Sequence, residues 1–281
     1  PLEELTLHGS GPGELRLSQV FGSDWLTVSG ESVVAYDGRR FSWFDSDGGY
    51  QFGVDAVQTI DPFLTARIAP SSGGIWVGTL RSNGGTGEQT LSITEIGREG
   101  VLRTVSFPLP PLPKVDGVYT PVVLRQATAS WSARGPCLYV TDGADLLIRV
   151  HADRGRWDTL RLPERDLPDL GEADERVLRE VASFSRALSL RSLKNTSPTA
   201  IARWSDIRVA PNGNVWLKRW ESRSAEHEDD WALVVDLEGH FIDHEVGRFP
   251  NAFGSDGVRI SVGQDPSLGT PLVHVSRTAG H

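Results

Sequence analysis

The chain reads as an all-β protein, a β-propeller of four-stranded blades. Three observations predict this: a hairpin-turn signature that recurs, a second strand-turn-strand signature between its copies, and a load of 30 Gly and 17 Pro that suits many turns rather than long helices.

The first signature is an apolar run, an acidic-Gly turn and an aromatic or aliphatic restart. It occurs at Phe44-Asp45-Ser46-Asp47-Gly48-Gly49-Tyr50, at Thr94 to Val101, at Val150 to Trp157 and at Val235-Asp236-Leu237-Glu238-Gly239-His240-Phe241. The physical logic is a strand, a residue at positive φ and a returning strand. Gly48 to Gly100 spans 52 residues, Gly100 to Gly155 spans 55 and Gly155 to Gly239 spans 84, so the last interval holds an extra segment.

The second signature is Ile68-Ala69-Pro70-Ser71-Ser72-Gly73-Gly74-Ile75-Trp76-Val77 and Val209-Ala210-Pro211-Asn212-Gly213-Asn214-Val215-Trp216-Leu217, with looser copies at Trp25 to Val34 and Ala133 to Val140. Together the two halves give four short strands per unit and make Trp76, Tyr139 and Trp216 equivalent core side chains. Five units are countable and six are possible if an N-terminal blade was removed or is poorly marked. At the C-terminus only Val258 to Val262 and Leu272 to Ser276 are evident strands. The orphan strand Leu2 to His8 is expected to complete that last blade and close the ring. The whole of 1–281 is thus expected to be one propeller domain.

The extra segment, 168–200, is expected to be a helical insertion between blades. Val177, Val181, Phe184 and Leu188 fall on one face of a helix over Pro168 to Arg191, which predicts a helix that packs on the ring or receives a partner. Pro108 to Pro113 predicts a rigid connector between blades.

Charge narrows the function. The net charge of −9, with no run of Lys and Arg, speaks against a nucleic-acid partner. No stretch is apolar enough to span a membrane, and Pro1 to Leu17 does not resemble a signal peptide. The lack of any Met predicts a chain that has lost its start. The single Cys137 has no internal disulfide partner and is expected to be a buried strand thiol.

At Gly9-Ser10-Gly11-Pro12-Gly13-Glu14-Leu15, followed by the Phe44 to Gly48 turn and the later Asp206 to Trp216 blade, the sequence resembles the bacterial six-bladed β-propeller family related to NHL repeats. Leu15 stands where that family has an aromatic. The resemblance implies the fold and an exported, extracytoplasmic (periplasmic) location, and it implies almost nothing about activity.

No catalytic, cofactor-binding or metal-ligating residue is singled out. Asp45-Ser46-Asp47-Gly48 offers oxygen ligands like a calcium loop, but Ala56 stands where the bidentate Glu belongs, so a structural turn is expected. His240 and His244 fall on one face of a strand, roughly 13 Å apart, too far for one metal by themselves. The candidate interface is assembled from long loops and the helix: Trp220, His227, Glu228, Asp229 and Asp230 in one loop, Asn83 in the flexible loop Arg81 to Glu88, and Phe184. The leading expectation is a non-catalytic scaffold or accessory subunit, without cofactor, of a larger envelope or membrane-bound protein complex. The alternatives are a calcium-dependent propeller hydrolase of the lactonase type and a small-ligand or sugar-binding propeller.

Overall fold

The computed structural model describes residues 26–29, 31–36, 40–45, 47–56, 65–120, 123, 126–151, 155–162, 172–184, 187–220, 231–236, 240–246, 249–250, 252–253, 258–264 and 271–277. The fold is an all-β propeller, with five blade-type sheets among these residues, four of four strands and one of three. Each sheet is an antiparallel meander in chain order, as hairpin-connected strands with short turns require. The chain divides into two compact units, one drawn from Pro1–Ser82, Gln89–Pro108 and Ala133–Cys137, the other from Asn83–Glu88, Leu109–Ser132 and Leu138–His281.

The first unit holds two sheets. One is β1 (Leu26–Ser29), β2 (Ser32–Tyr36), β3 (Arg40–Phe44) and β4 (Tyr50–Asp55); the other is β5 (Thr65–Pro70), β6 (Ile75–Ser82), β7 (Gln89–Gly97) and β8 (Gly100–Leu109). Period-two alternation puts Val34 and Tyr36, Phe41 and Trp43, and Ile75 and Val77 into one buried cluster. Within it Tyr36 stacks on Phe41 and Trp43 on Phe52, each pair with centroids 4.6 Å apart. On the opposite face of β6, Trp76 is fully buried, with the Arg103 guanidinium 5.0 Å from its ring centroid. Arg103 Nε also donates to the buried Glu95 carboxylate at 2.6 Å, so one cation serves a ring and a charge.

The second unit holds most of β11 (Ser130–Arg134) and β12 (Cys137–Thr141), with β13 (Leu146–His151) and β14 (Arg156–Arg161), while Ala133–Cys137, the end of β11, the turn and the first residue of β12, belongs to the first unit. It continues with β15 (Trp204–Val209), β16 (Val215–Arg219), β17 (Trp231–Val235) and β18 (Phe241–Val246), then β19 (Ala252–Phe253), β20 (Val258–Gln264) and β21 (Pro271–Arg277). Trp216 packs with Ala210, Ala232, Val234, Phe249 and Phe253, and the Arg259 guanidinium lies 4.7 Å from its ring centroid. The strand Leu2 to His8, expected to complete the last blade, lies outside the described residues.

Trp76, Tyr139 and Trp216 all sit on the second strand of a blade and all are buried, Trp76 and Trp216 as its second residue and Tyr139 as its third. The acidic turns serve structure. Asp45 Oδ1 accepts the N–H groups of Asp47 at 3.0 Å and Gly49 at 2.7 Å, and Asp236 Oδ1 accepts the His240 N–H at 2.7 Å. In both hairpins the Asp N–H donates back to the carbonyl four residues on, at 2.9 Å, beside a register shift at the end of the preceding strand. The restarts after these turns point outward: Tyr50, Val101, Trp157 and Phe241 are exposed. Cys137 is half-buried rather than buried, because it opens β12 at the edge of a turn and not in the strand's interior.

A candidate interaction surface

Two connections in the second unit are far longer than blade joining requires. The first leaves β8 through Pro110 to Pro113 and forms a two-residue hairpin, β9 (Lys114–Val115) and β10 (Val118–Tyr119). Asp116 and Gly117 form its turn at φ 48° and 85°, the primed geometry that an Asp-Gly pair favours. The second connection, between β14 and β15, contains α1 (Glu172–Phe184) and α2 (Leu190–Asn195).

The single helix expected over Pro168 to Arg191 is therefore two. Ser189 leaves helical geometry at φ −92° and ψ 143° and caps α2, its Oγ accepting the Ser192 N–H at 3.1 Å, so a new helix starts there. Leu188, expected on the helical face, lies in the connection and still packs inward, while Leu178 on α1 is the fully buried residue.

These connections build a small core of their own. Val115 and Val123 from one meet Leu178 and Leu193 from the other, with Val181, Ala182, Leu188 and Leu190 around them. Polar contacts fix the register. Asp116 accepts the Ser189 backbone N–H at 2.9 Å and the Ser192 hydroxyl at 2.6 Å. The Ser192 hydroxyl first, and the Ser189 amide second, hold the Asp116 carboxyl below the usual range. Glu175 on α1 accepts Lys194 Nζ of α2 at 2.7 Å, and that ammonium lowers its carboxyl pKa. Downstream, the Thr199 N–H donates to Gln126 Oε1 at 2.9 Å, Thr199 Oγ1 donates to the Pro111 carbonyl, and the Ala127 N–H donates to the Ala200 carbonyl at 2.8 Å.

The loop carrying Asn83 joins the same assembly. Its flexibility was the sequence expectation, but its own hydrogen bonds order it: Asn83 Oδ1 accepts the Gly85 N–H at 2.9 Å and the Gly87 N–H donates to the Asn83 carbonyl at 2.7 Å. The Leu112 N–H then donates to the Gly87 carbonyl at 2.8 Å. Gly87 takes φ 75° against the Tyr119 ring, where a Cβ would lie 2.3 Å from Cδ1. The Pro-rich connector, the hairpin, the Asn83 loop and the two helices thus form one satellite layer outside the blades.

Of the candidate interface residues, Asn83 belongs to this layer, and Phe184 is the last residue of α1. Trp220 follows β16, half-buried, and its N–H donates to the Arg203 carbonyl at 2.8 Å, where the chain returns from the insertion. His227, Glu228, Asp229 and Asp230 lie outside the described residues. Sequence reasoning missed Asp116, Ser189, Ser192 and Glu175. The Asp-Gly turn and a Ser three residues before another Ser were the available signals.

Other polar features are structural. Asp142 Oδ1 accepts the Ala144 N–H at 2.9 Å and the Leu146 N–H at 3.2 Å, while burial pushes its carboxyl pKa up. Asp206 gathers the Ser130 hydroxyl at 2.8 Å and Arg208 at 3.0 Å. His240 Nδ1 lies 3.0 Å from Asp236 Oδ2. Among the described residues no three His, Cys, Asp or Glu side chains are grouped to hold a metal ion, and no helix is long and apolar enough to cross a membrane.

No family model matches the chain, and no curated protein matches it. Solved structures do. The Neurospora crassa Pan2 WD40 domain is similar over 90% of this chain and 60% of that one, at 8% identity and a TM-score of 0.43. The Myxococcus xanthus glutaminyl cyclase is similar over 90% of each chain, at 10% identity and a TM-score of 0.38. BamB from Moraxella catarrhalis is similar over 91% of this chain and 70% of that one, at 11% identity and a TM-score of 0.31. This chain thus spans less than two thirds of the Pan2 chain it matches, and likeness at this level carries no argument about activity.

Proposed function

We propose that the chain is a non-catalytic β-propeller that works as a protein-interaction scaffold or accessory subunit of a larger extracytoplasmic or membrane-associated complex. The observation that supports this most is the satellite layer. Two blade connections and a loop are elaborated into a separate small core whose outer helix surface faces solvent at Arg176, Arg179, Glu180 and Ser183. Blade connection alone needs only a few residues, and a folded layer of this kind presents a shaped, polar-rimmed surface such as protein interfaces use. The extracytoplasmic setting rests on the NHL-like resemblance alone.

The test is isolation of the tagged full chain from its native source by gentle extraction and size exclusion. A stoichiometric protein complex is expected. A chain that elutes as a bare monomer from every native fraction would contradict the proposal.

A further inference from the structure

Asn83 and Asn212 each stand directly before a glycine. Lacking a Cβ, glycine lets its own backbone nitrogen approach the side-chain amide of the residue before it. The fold treats the two pairs differently. In the turn between β15 and β16 the Gly213 N–H is buried and donates to the Ala210 carbonyl at 2.9 Å, while Asn212 Oδ1 accepts the Asn214 N–H at 3.1 Å. The nitrogen that could attack Asn212 is engaged and shielded from water.

In the loop between β6 and β7 both residues of the pair are exposed. Among the described residues the Gly84 N–H makes no hydrogen bond, and nothing lies within 4 Å of the place where a Gly84 Cβ would stand. Asn83 Oδ1 accepts the N–H groups of Gly85 at 2.9 Å and Thr86 at 3.3 Å. These donors polarise the side-chain carbonyl and face the oxygen that takes up negative charge when Cγ becomes tetrahedral. Among the same residues no bond holds Asn83 Nδ2, the leaving nitrogen.

We propose that Asn83 is a covalent modification site, where the Gly84 nitrogen closes on Asn83 Cγ and the side chain is deamidated. The Gly84 N–H proton passes to a solvent base, the Cγ–Nδ2 bond breaks and ammonia leaves, giving a cyclic imide. Water then opens either C–N bond of that imide, to aspartate or to isoaspartate. Water enters as ammonia is lost, and nothing is oxidised or reduced.

The two products differ in their effect. Aspartate keeps the acceptors that order the loop. Isoaspartate routes the main chain through the side-chain carbon, and the carbonyl that accepts the Gly87 N–H at 2.7 Å becomes a free carboxylate. Because the Gly87 carbonyl in turn accepts the Leu112 N–H, the lengthened backbone loosens the join between this loop and the Pro-rich connector.

The test is ageing of the full chain in mildly alkaline buffer, followed by tryptic mapping and electron-transfer mass spectrometry, which separates aspartate from isoaspartate. Conversion at Asn83 is expected to be at least tenfold faster than at Asn212, and the two rates should converge in guanidinium chloride. Gly84→Ala is expected to slow conversion severalfold in a loop that still has room for the methyl group. In aged protein the Leu112 amide should lose hydrogen-exchange protection, whereas Asn83→Asp should retain it. Equal rates at the two sites in the folded chain overturn the proposal, as does a ratio that persists in denaturant or a Gly84→Ala rate equal to that of wild type. Unaltered Leu112 protection in the isoaspartate form overturns the structural consequence.

Discussion

The Asp116 carboxylate accepts the Ser192 hydroxyl at 2.6 Å across 76 residues of sequence. One turn residue of a hairpin therefore holds the first turn of a helix in a different blade connection. The same side chain takes the Ser189 amide, so the N-terminal end of α2 is satisfied partly from outside its own helix. That contact makes the two connections a layer rather than two loops.

Replacing this acceptor tests the layer. Asp116→Ala is expected to raise amide hydrogen exchange over residues 189–196 while the blade strands keep their protection. Asp116→Asn, which still tolerates the left-handed turn, is expected to be milder. Unchanged exchange in both variants would show that the apolar contacts of Leu178 and Leu193 suffice.

The pH dependence has a definite sign. Asp116 and Glu175 both have folded pKa values lowered by their partners, Ser192 and Lys194 first. Their contribution is fully present above the ordinary carboxylate range and is lost as pH falls through the lowered values. Protection factors in 172–203, taken relative to the intrinsic exchange rate at each pH, should fall on acidification, and the fall should be smaller in Asp116→Asn. Protection factors that hold or rise in acid would contradict the assignment.

Asp142 has the opposite sign. Burial raises its pKa against the pull of the Ala144 and Leu146 amides, so its charged form costs stability in the fold. Asp142→Asn keeps an acceptor oxygen and removes that charge. The variant should gain stability relative to wild type near neutral pH, and the gain should vanish as pH falls below the ordinary Asp value. Chemical denaturation at two pH values measures this.

The core tryptophan and its cation give a packing prediction. Trp76→Ala empties a fully buried site and should cost about 3–5 kcal/mol. Arg103→Met leaves Glu95 buried without its cation and should cost about 3 kcal/mol, more than Glu95→Met, which leaves a guanidinium able to reach water. An equal or reversed order in urea unfolding would refute this account of the pair.

Gly87 tests the Asn83 loop. Gly87→Ala strains a left-handed backbone by about 1–2 kcal/mol and drives a methyl group into the Tyr119 ring. The Leu112 amide, which donates to the Gly87 carbonyl, should lose exchange protection while the β6 and β7 ladder is retained.

The blades were legible in the sequence because their signals are local. Asp45 and Asp236 close turns with amides two to four residues away, and large buried rings recur on the second strand of a blade at Trp76, Tyr139 and Trp216. The satellite layer was not legible, because its determinants are distant in sequence. Neither the Asp-Gly turn at 116 nor the Ser189 cap names the other, and the apolar positions Val177, Val181, Phe184 and Leu188 fit one long helix as well as two short ones. Likewise, composition marked 81–88 as flexible because the Tyr119 ring and the Leu112 amide that hold Gly87 lie in the next connection.

The central claim is that the satellite layer is where a protein partner binds. The chain has three lysines, of which Lys114 and Lys194 lie on that layer and Lys218 lies on β16. Zero-length carbodiimide cross-linking of the native complex, mapped by mass spectrometry, reports directly which of these amines meets a partner carboxylate. The account predicts cross-links at Lys194 and Lys114. Partner cross-links confined to Lys218, with both layer lysines unmodified in the complex, would contradict it.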